Sequence, residues 1–126
     1  MNTETKALSE LIIGYKFLDV TDNATLVGGL GFPLKGRYDV ASCAFGSKHQ
    51  APDENCSCGH HLRWEPDHFY GDAMAQCVAY GKVWIWTEGC RAEKIRIDSI
   101  FIRSRVAFLK EKLEAKYGVP VVINDA

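Results

Sequence analysis

From Cys43 to His61 the chain reads Cys-Ala-Phe-Gly-Ser-Lys-His-Gln-Ala-Pro-Asp-Glu-Asn-Cys-Ser-Cys-Gly-His-His. Residues 44–59 are rich in Gly, Ser, Asp, Asn and Pro and offer almost nothing apolar to bury. A structureless stretch of that length inside a compact domain calls for a staple or a function. Three of the five cysteines (Cys43, Cys56 and Cys58) lie in this stretch. An odd cysteine count, with no basic-then-apolar leader, argues against an exported disulfide scaffold. A cytoplasmic location is therefore expected. In a reducing compartment, clustered cysteines bind metal or do redox chemistry.

Zinc takes four thiolate or imidazole ligands in a tetrahedron. Cys56 and Cys58 form a tight pair. Gly59, directly after them, permits the positive φ that turns backbone amides toward a thiolate. Cys43 and His49 reach the same point from the other side of the loop, and Pro52 stiffens the return path. Cys43, His49, Cys56 and Cys58 are thus the leading ligand set, with His60 or His61 as a substitute for His49. Buried thiols beside surface histidines, or a redox switch, are the competing readings. A closed Cys3His set makes the Zn²⁺ structural, standing in for the core the loop lacks. Catalytic zinc would need an open position and a base. Glu65, Asp67, His68 and Asp72 follow closely enough to keep a small zinc hydrolase as an alternative. Neither H-E-x-x-H nor the deaminase pattern H-x-E with P-C-x-x-C is present. Cys77 and Cys90 sit in strand-like surroundings and read as core thiols.

At 126 residues, 47% hydrophobic and 25% charged, the chain suits one ordinary domain, taken as residues 10–122. Residues 1–9 are polar and expected to fray. Strands are expected at Leu11–Val20, Ala24–Leu30 and Arg37–Cys43, and one helical turn at Pro66–Gly71. Ala73–Trp86 reads as one long strand or two, bent at Gly81, with Arg91–Ile102 as its hairpin partner. In the partner, Ile95 and Ile97 alternate with Lys94, Arg96 and Asp98, and the phase changes at Ser99, as at a bulge or a helix entry. Val106, Leu109, Leu113 and Tyr117 recur at helical spacing, so Arg103–Tyr117 is expected to be helical, stopped by Gly118 and Pro120. The expected fold is α+β: a mostly antiparallel, curved sheet of five or six strands, a zinc-clipped loop and a C-terminal helix.

The net charge of −1 excludes bulk electrostatic binding of nucleic acid, but it is unevenly spread. Residues 1–90 carry net −4 and residues 91–116 net +4. Arg91, Lys94 and Arg96, beside Trp84 and Trp86, could present a positive surface with a stacking platform, and a nucleic-acid or nucleotide binder is one alternative. The opposing expectation is a solvated strand face with the tryptophans in the core. No phosphate-cradling G-x-x-x-x-G-K occurs, and no apolar run reaches membrane-span length.

The ordered motifs are G-Y-K-F at Gly14–Phe17, the H-x-A-P…C-x-C-G loop, G-K-V at Gly81–Val83, G-C-R-A-E at Gly89–Glu93 and Y-G-V-P-V at Tyr117–Val121. Together they resemble a family of small zinc-loop proteins of actinobacteria and their phages, across roughly Gly14 to Val121. The resemblance implies Cys43, His49, Cys56 and Cys58 as metal ligands and demotes His60 and His61, where that family often has an aliphatic and an aromatic residue. Phe17 departs from it too, standing where tryptophan is frequent. The resemblance implies no activity. The expected function is a non-enzymatic, zinc-stabilised module that engages a protein partner, in a phage or host regulatory setting, with no membrane contact.

Overall fold

The computed structural model describes residues 5–6, 11–28, 31–43, 49–66 and 71–125. The strands are β1 (Thr5–Lys6), β2 (Ile12–Val20), β3 (Leu26–Val27), β4 (Tyr38–Val40), β5 (His60–Arg63), β6 (Ala73–Trp86), β7 (Gly89–Ile102) and β8 (Val121–Ile123). A 3₁₀ helix (Ser104–Leu109) and α1 (Lys110–Tyr117) lie between β7 and β8. Seven strands form one sheet, and β3 pairs only with the end of β2. The sheet is mixed, because β8 runs parallel to β7 while the other pairs are antiparallel.

This exceeds the five or six strands expected, for a local reason. The strands not expected, β1, β5 and β8, are two to four residues long, too short to show clear alternation in a sequence. Thr5 and Lys6, expected to fray, pair with Ile85 and Trp84. The strand expected over Ala24–Leu30 shrinks to Leu26–Val27, and that over Arg37–Cys43 to Tyr38–Val40. The parallel pair arises because the helical segment carries the chain back across the sheet, a return that a tight hairpin cannot make. Residues 67–70 of the expected Pro66–Gly71 turn lie outside the described residues.

β6 and β7 are a continuous hairpin of fourteen residues each. The register slips between Tyr80 and Val83, where Gly81 takes φ +77°; a Cβ there would lie 2.5 Å from Glu93 Oε1. A second slip leaves Asp98 without a cross-strand partner on β6. The inward set therefore changes from Ile95 and Ile97 to Ile100 and Ile102, which accounts for the change of phase read at Ser99. β2 pairs with β6 and β5, β5 with β7, and β7 with β6, so the pairings close a circuit that no flat sheet could make.

The core gathers Ile12 and Leu18 of β2, Ala73, Ala75, Cys77 and Ala79 of β6, and the β7 isoleucines under Leu113 and Tyr117. Instead of one helix over Arg103–Tyr117, the chain forms 3₁₀ geometry to Leu109 and α-helix after it, with Val106 at φ −116°, ψ 16° between them. Gly118 caps the helix at φ +65°, its N–H bonded to the Glu114 carbonyl at 2.8 Å. Tyr117, fully buried, accepts the Leu26 N–H at 2.9 Å and donates to the Leu34 carbonyl at 2.7 Å. One phenol thereby fastens the 24–34 connection to the helix.

Candidate metal centre

One edge of β7 is occupied by β6. The opposite edge is shared end to end by β5 at residues 89–92, β4 at 94–96 and β8 at 100–102. β4 and β5 run in the same direction along that edge, so residues 41–59 are an excursion from a nearly continuous strand. The excursion leaves opposite Glu93, whose carbonyl accepts the Ala41 N–H at 2.7 Å. The Glu93 carboxylate accepts from Lys82 N at 3.0 Å and from the Gln50 side chain. The loop is less coreless than its composition suggests, since Ala51 and Pro52 are buried. Gly59 ends it at φ +118°, where a Cβ would lie 2.9 Å from Pro52 Cβ and 3.3 Å from the Ala92 carbonyl oxygen. Only glycine suits both the conformation and the space.

The ligand atoms of Cys43, His49, Cys56 and Cys58 all lie within 4.8 Å of one another, so the four residues could hold one metal ion. Two edges of this tetrahedron are defined: Cys43 Sγ to Cys56 Sγ at 3.7 Å and His49 Nε2 to Cys58 Sγ at 3.2 Å. A tetrahedral ion with M–S of about 2.3 Å and M–N of about 2.0–2.1 Å requires edges of roughly 3.8 Å and 3.5 Å. The agreement is within a few tenths of an ångström, and 3.7 Å is far longer than a disulfide bond. Burial is the main cause that raises the pKa of the Cys58 thiol; the neighbouring Cys56 and Cys43 add to it, and the backbone hydrogen bond at Asp53 opposes it. Without an ion the cluster is thus a poor place to hold thiolates, whereas a divalent cation reverses that balance.

Arg91 was expected at the surface, and the structure corrects this. It is 3% exposed, and Nη1 donates to the carbonyl oxygens of Asp53 at 2.7 Å, Cys58 at 3.0 Å and Cys56. The guanidinium gathers three carbonyls of residues 53–58 around the ligand pair. The sequence signal was available, because an arginine directly after a buried cysteine in a hairpin strand needs several acceptors. The other candidate surface residues do not form a free basic platform. Arg96 is bound to Asp98 (2.8 Å), and Lys94 Nζ stands 6.0 Å from the centre of the Tyr80 ring. Trp84 and Trp86 are half-buried, and Trp86 meets the His61 ring edge-on at 6.0 Å.

The adjacent histidines take other work. His61 Nε2 lies 2.6 Å from the Ser57 carbonyl oxygen and braces the C-x-C backbone. His60 is 6% exposed, and its Nε2 approaches Asp39 Oδ2 obliquely at 2.9 Å. Desolvation lowers its pKa against the raising effect of Asp39. The acids considered for a catalytic zinc do not gather at the cluster: Asp72 pairs with Arg105 at 2.6 Å and Glu65 is exposed, while Asp67 and His68 lie outside the described residues. Cys77 and Cys90 are fully buried, and burial pushes both thiols up to about 12.

No family model matches this chain, and neither a curated protein nor a solved structure does. Among the described residues, no helix is long and apolar enough to cross a membrane.

Proposed function

We propose that this chain is a non-enzymatic binding module whose loop is held by one structural Zn²⁺, with Cys43, His49, Cys56 and Cys58 as its ligands. The observation carrying this reading is the convergence of three sulfurs and one imidazole nitrogen within 4.8 Å of one another. Thiolate-rich tetrahedral sets select zinc over harder cations. Four protein ligands leave no position for a substrate or an activated water, which argues against the hydrolase. None of the five cysteines is joined in a disulfide, which fits the reducing cytoplasm proposed for the protein.

The partner proposed is a protein, of host or phage regulatory type. β4 ends the strand order, so among the described residues its outer edge is unpaired. Tyr38 and Val40 on it are 61% and 62% exposed, and Phe32 nearby is 51% exposed. An open edge flanked by apolar side chains is suited to strand addition by a partner. The inward turn of Arg91 removes one of the cations that the nucleic-acid alternative would use.

Native mass spectrometry of the purified chain should show one zinc per molecule, absent from Cys58→Ser. A metal-free native chain with an ordered loop would refute the reading. A photoreactive side chain placed at Tyr38 should trap one discrete protein species in the producing cell. The absence of such a product would sink the protein-partner part alone.

A further inference from the structure

Three ionisable side chains from three strands meet inside this domain, away from the sulfur cluster. In β2 the inward register holds Ile12, Gly14, Lys16 and Leu18, paired with Ala79, Cys77, Ala75 and Ala73 of β6. Lys16 therefore occupies a core-phase position, since paired residues share a face. Asp39 of β4 is inward by the same rule, opposite buried Ile95, and His60 of β5 lies opposite buried Ala92. All three line a cavity of about 1150 Å³. It is walled by apolar groups including Phe32, Leu34 and Trp86, and it is as large as small-molecule sites are.

Asp39 is engaged by His60 at 2.9 Å. Among the described residues Lys16 makes no hydrogen bond and no ion pair. Desolvation lowers its pKa, opposed by the neighbouring Cys77 and Asp39. A half-buried amine facing a roomy pocket, with no hydrogen bond or ion pair to a described residue, is the arrangement that makes lysine a nucleophile toward carbonyl carbon. Lys35 lines the same cavity and adds positive charge.

We propose that this cavity binds a small oxo-acid, an aldehyde or ketone bearing a carboxylate, which condenses with Lys16 Nζ. The amine nitrogen adds to the carbonyl carbon, the carbinolamine loses its oxygen as water, and a C=N bond replaces C=O with no change of oxidation state. The carboxylate is drawn by Lys35 and Arg63, which outnumber Asp39 in the lining. This goes beyond the structural zinc loop and holds whichever ion the loop carries.

The test uses the intact chain with its metal, treated briefly at neutral pH with glyoxylate and cyanoborohydride and then mapped by peptide mass spectrometry. Lys16 should carry severalfold more reduced adduct than any exposed lysine, because its lowered pKa leaves more of the amine neutral and nucleophilic. Lys16→Met should abolish the dominant adduct; if that variant does not fold, the map of the unaltered chain decides alone. Adduct spread over exposed lysines such as Lys112, with Lys16 no faster than they are, would overturn the proposal. Propanal serves as the uncharged probe, and equal preference for Lys16 with both aldehydes would overturn the role of the carboxylate.

Discussion

Arg91→Met is the most informative single change to the loop, because it removes the guanidinium and retains a stem of similar length. Nη1 faces three carbonyl oxygens but carries two hydrogens, so at most two bonds can be fully formed at once. Bonds from a charged donor contribute about 1.5–3 kcal/mol each, for a gross loss of about 3–6 kcal/mol. Relief of the buried cation's desolvation returns part of this, leaving a net loss of about 2–4 kcal/mol. Two of the three acceptors belong to the ligands Cys56 and Cys58, so the loss falls on the order of the loop. If all of it appears in metal binding, the zinc dissociation constant rises roughly thirty- to seven-hundred-fold. Competition against a chromogenic chelator measures this directly. Arg91→Lys, which keeps the charge and loses the planar fork, should fall between the two. Zinc affinity in Arg91→Met within about threefold of the unaltered chain would refute the claim that this side chain organises the centre.

His49→Ala should release the metal, whereas His61→Ala should keep it and lose only the bond to Ser57, at a cost of about 1 kcal/mol; metal content of the two purified variants separates the histidines. Because burial raises the Cys58 thiol, it is protonated at neutral pH without metal and must lose its proton on coordination. Zinc binding should therefore release protons and weaken as pH falls; calorimetry in buffers of different ionisation enthalpy reads this out, and buffer-independent heats would contradict it. Tyr117→Phe leaves the Leu26 N–H and the Leu34 carbonyl without their partner, and should destabilise the fold by about 2–4 kcal/mol in chemical denaturation while leaving zinc stoichiometry at one.

The parts of the fold that could be read from the chain are those whose pattern repeats often enough to be a signal. The β6–β7 hairpin, the bend at Gly81, the change of phase before Ile100 and the cap at Gly118 each rest on several residues in register, and each is in the structure. β1 and β8 were invisible because two or three residues cannot alternate, and they form where β6 and β7 offer long edges to pair with, whereas β3 and β4 were expected but are shorter than the sequence suggested. The helical stretch was expected in one piece because Val106, Leu109, Leu113 and Tyr117 keep helical spacing through a segment whose first half is wound as 3₁₀.

At the site, the residue types pointed to the sulfur cluster, since four soft donors in a polar loop have few other uses. Arg91 misled because charge was counted along the chain, where a positive run looks like a surface. A side chain that lies in the middle of a sheet edge, under an extruded loop, meets carbonyl oxygens before it meets water, and its charge becomes part of the architecture. Lys16 raises the same issue in the opposite sense. Its phase with Ile12 and Leu18 places a cation on the inner face of β2, yet among the described residues it makes no hydrogen bond or ion pair. Arg91 is inward and fully occupied, whereas Lys16 is inward and has no bond to any described residue. That difference assigns the first to holding the loop and leaves the second available to bind something the chain does not itself contain.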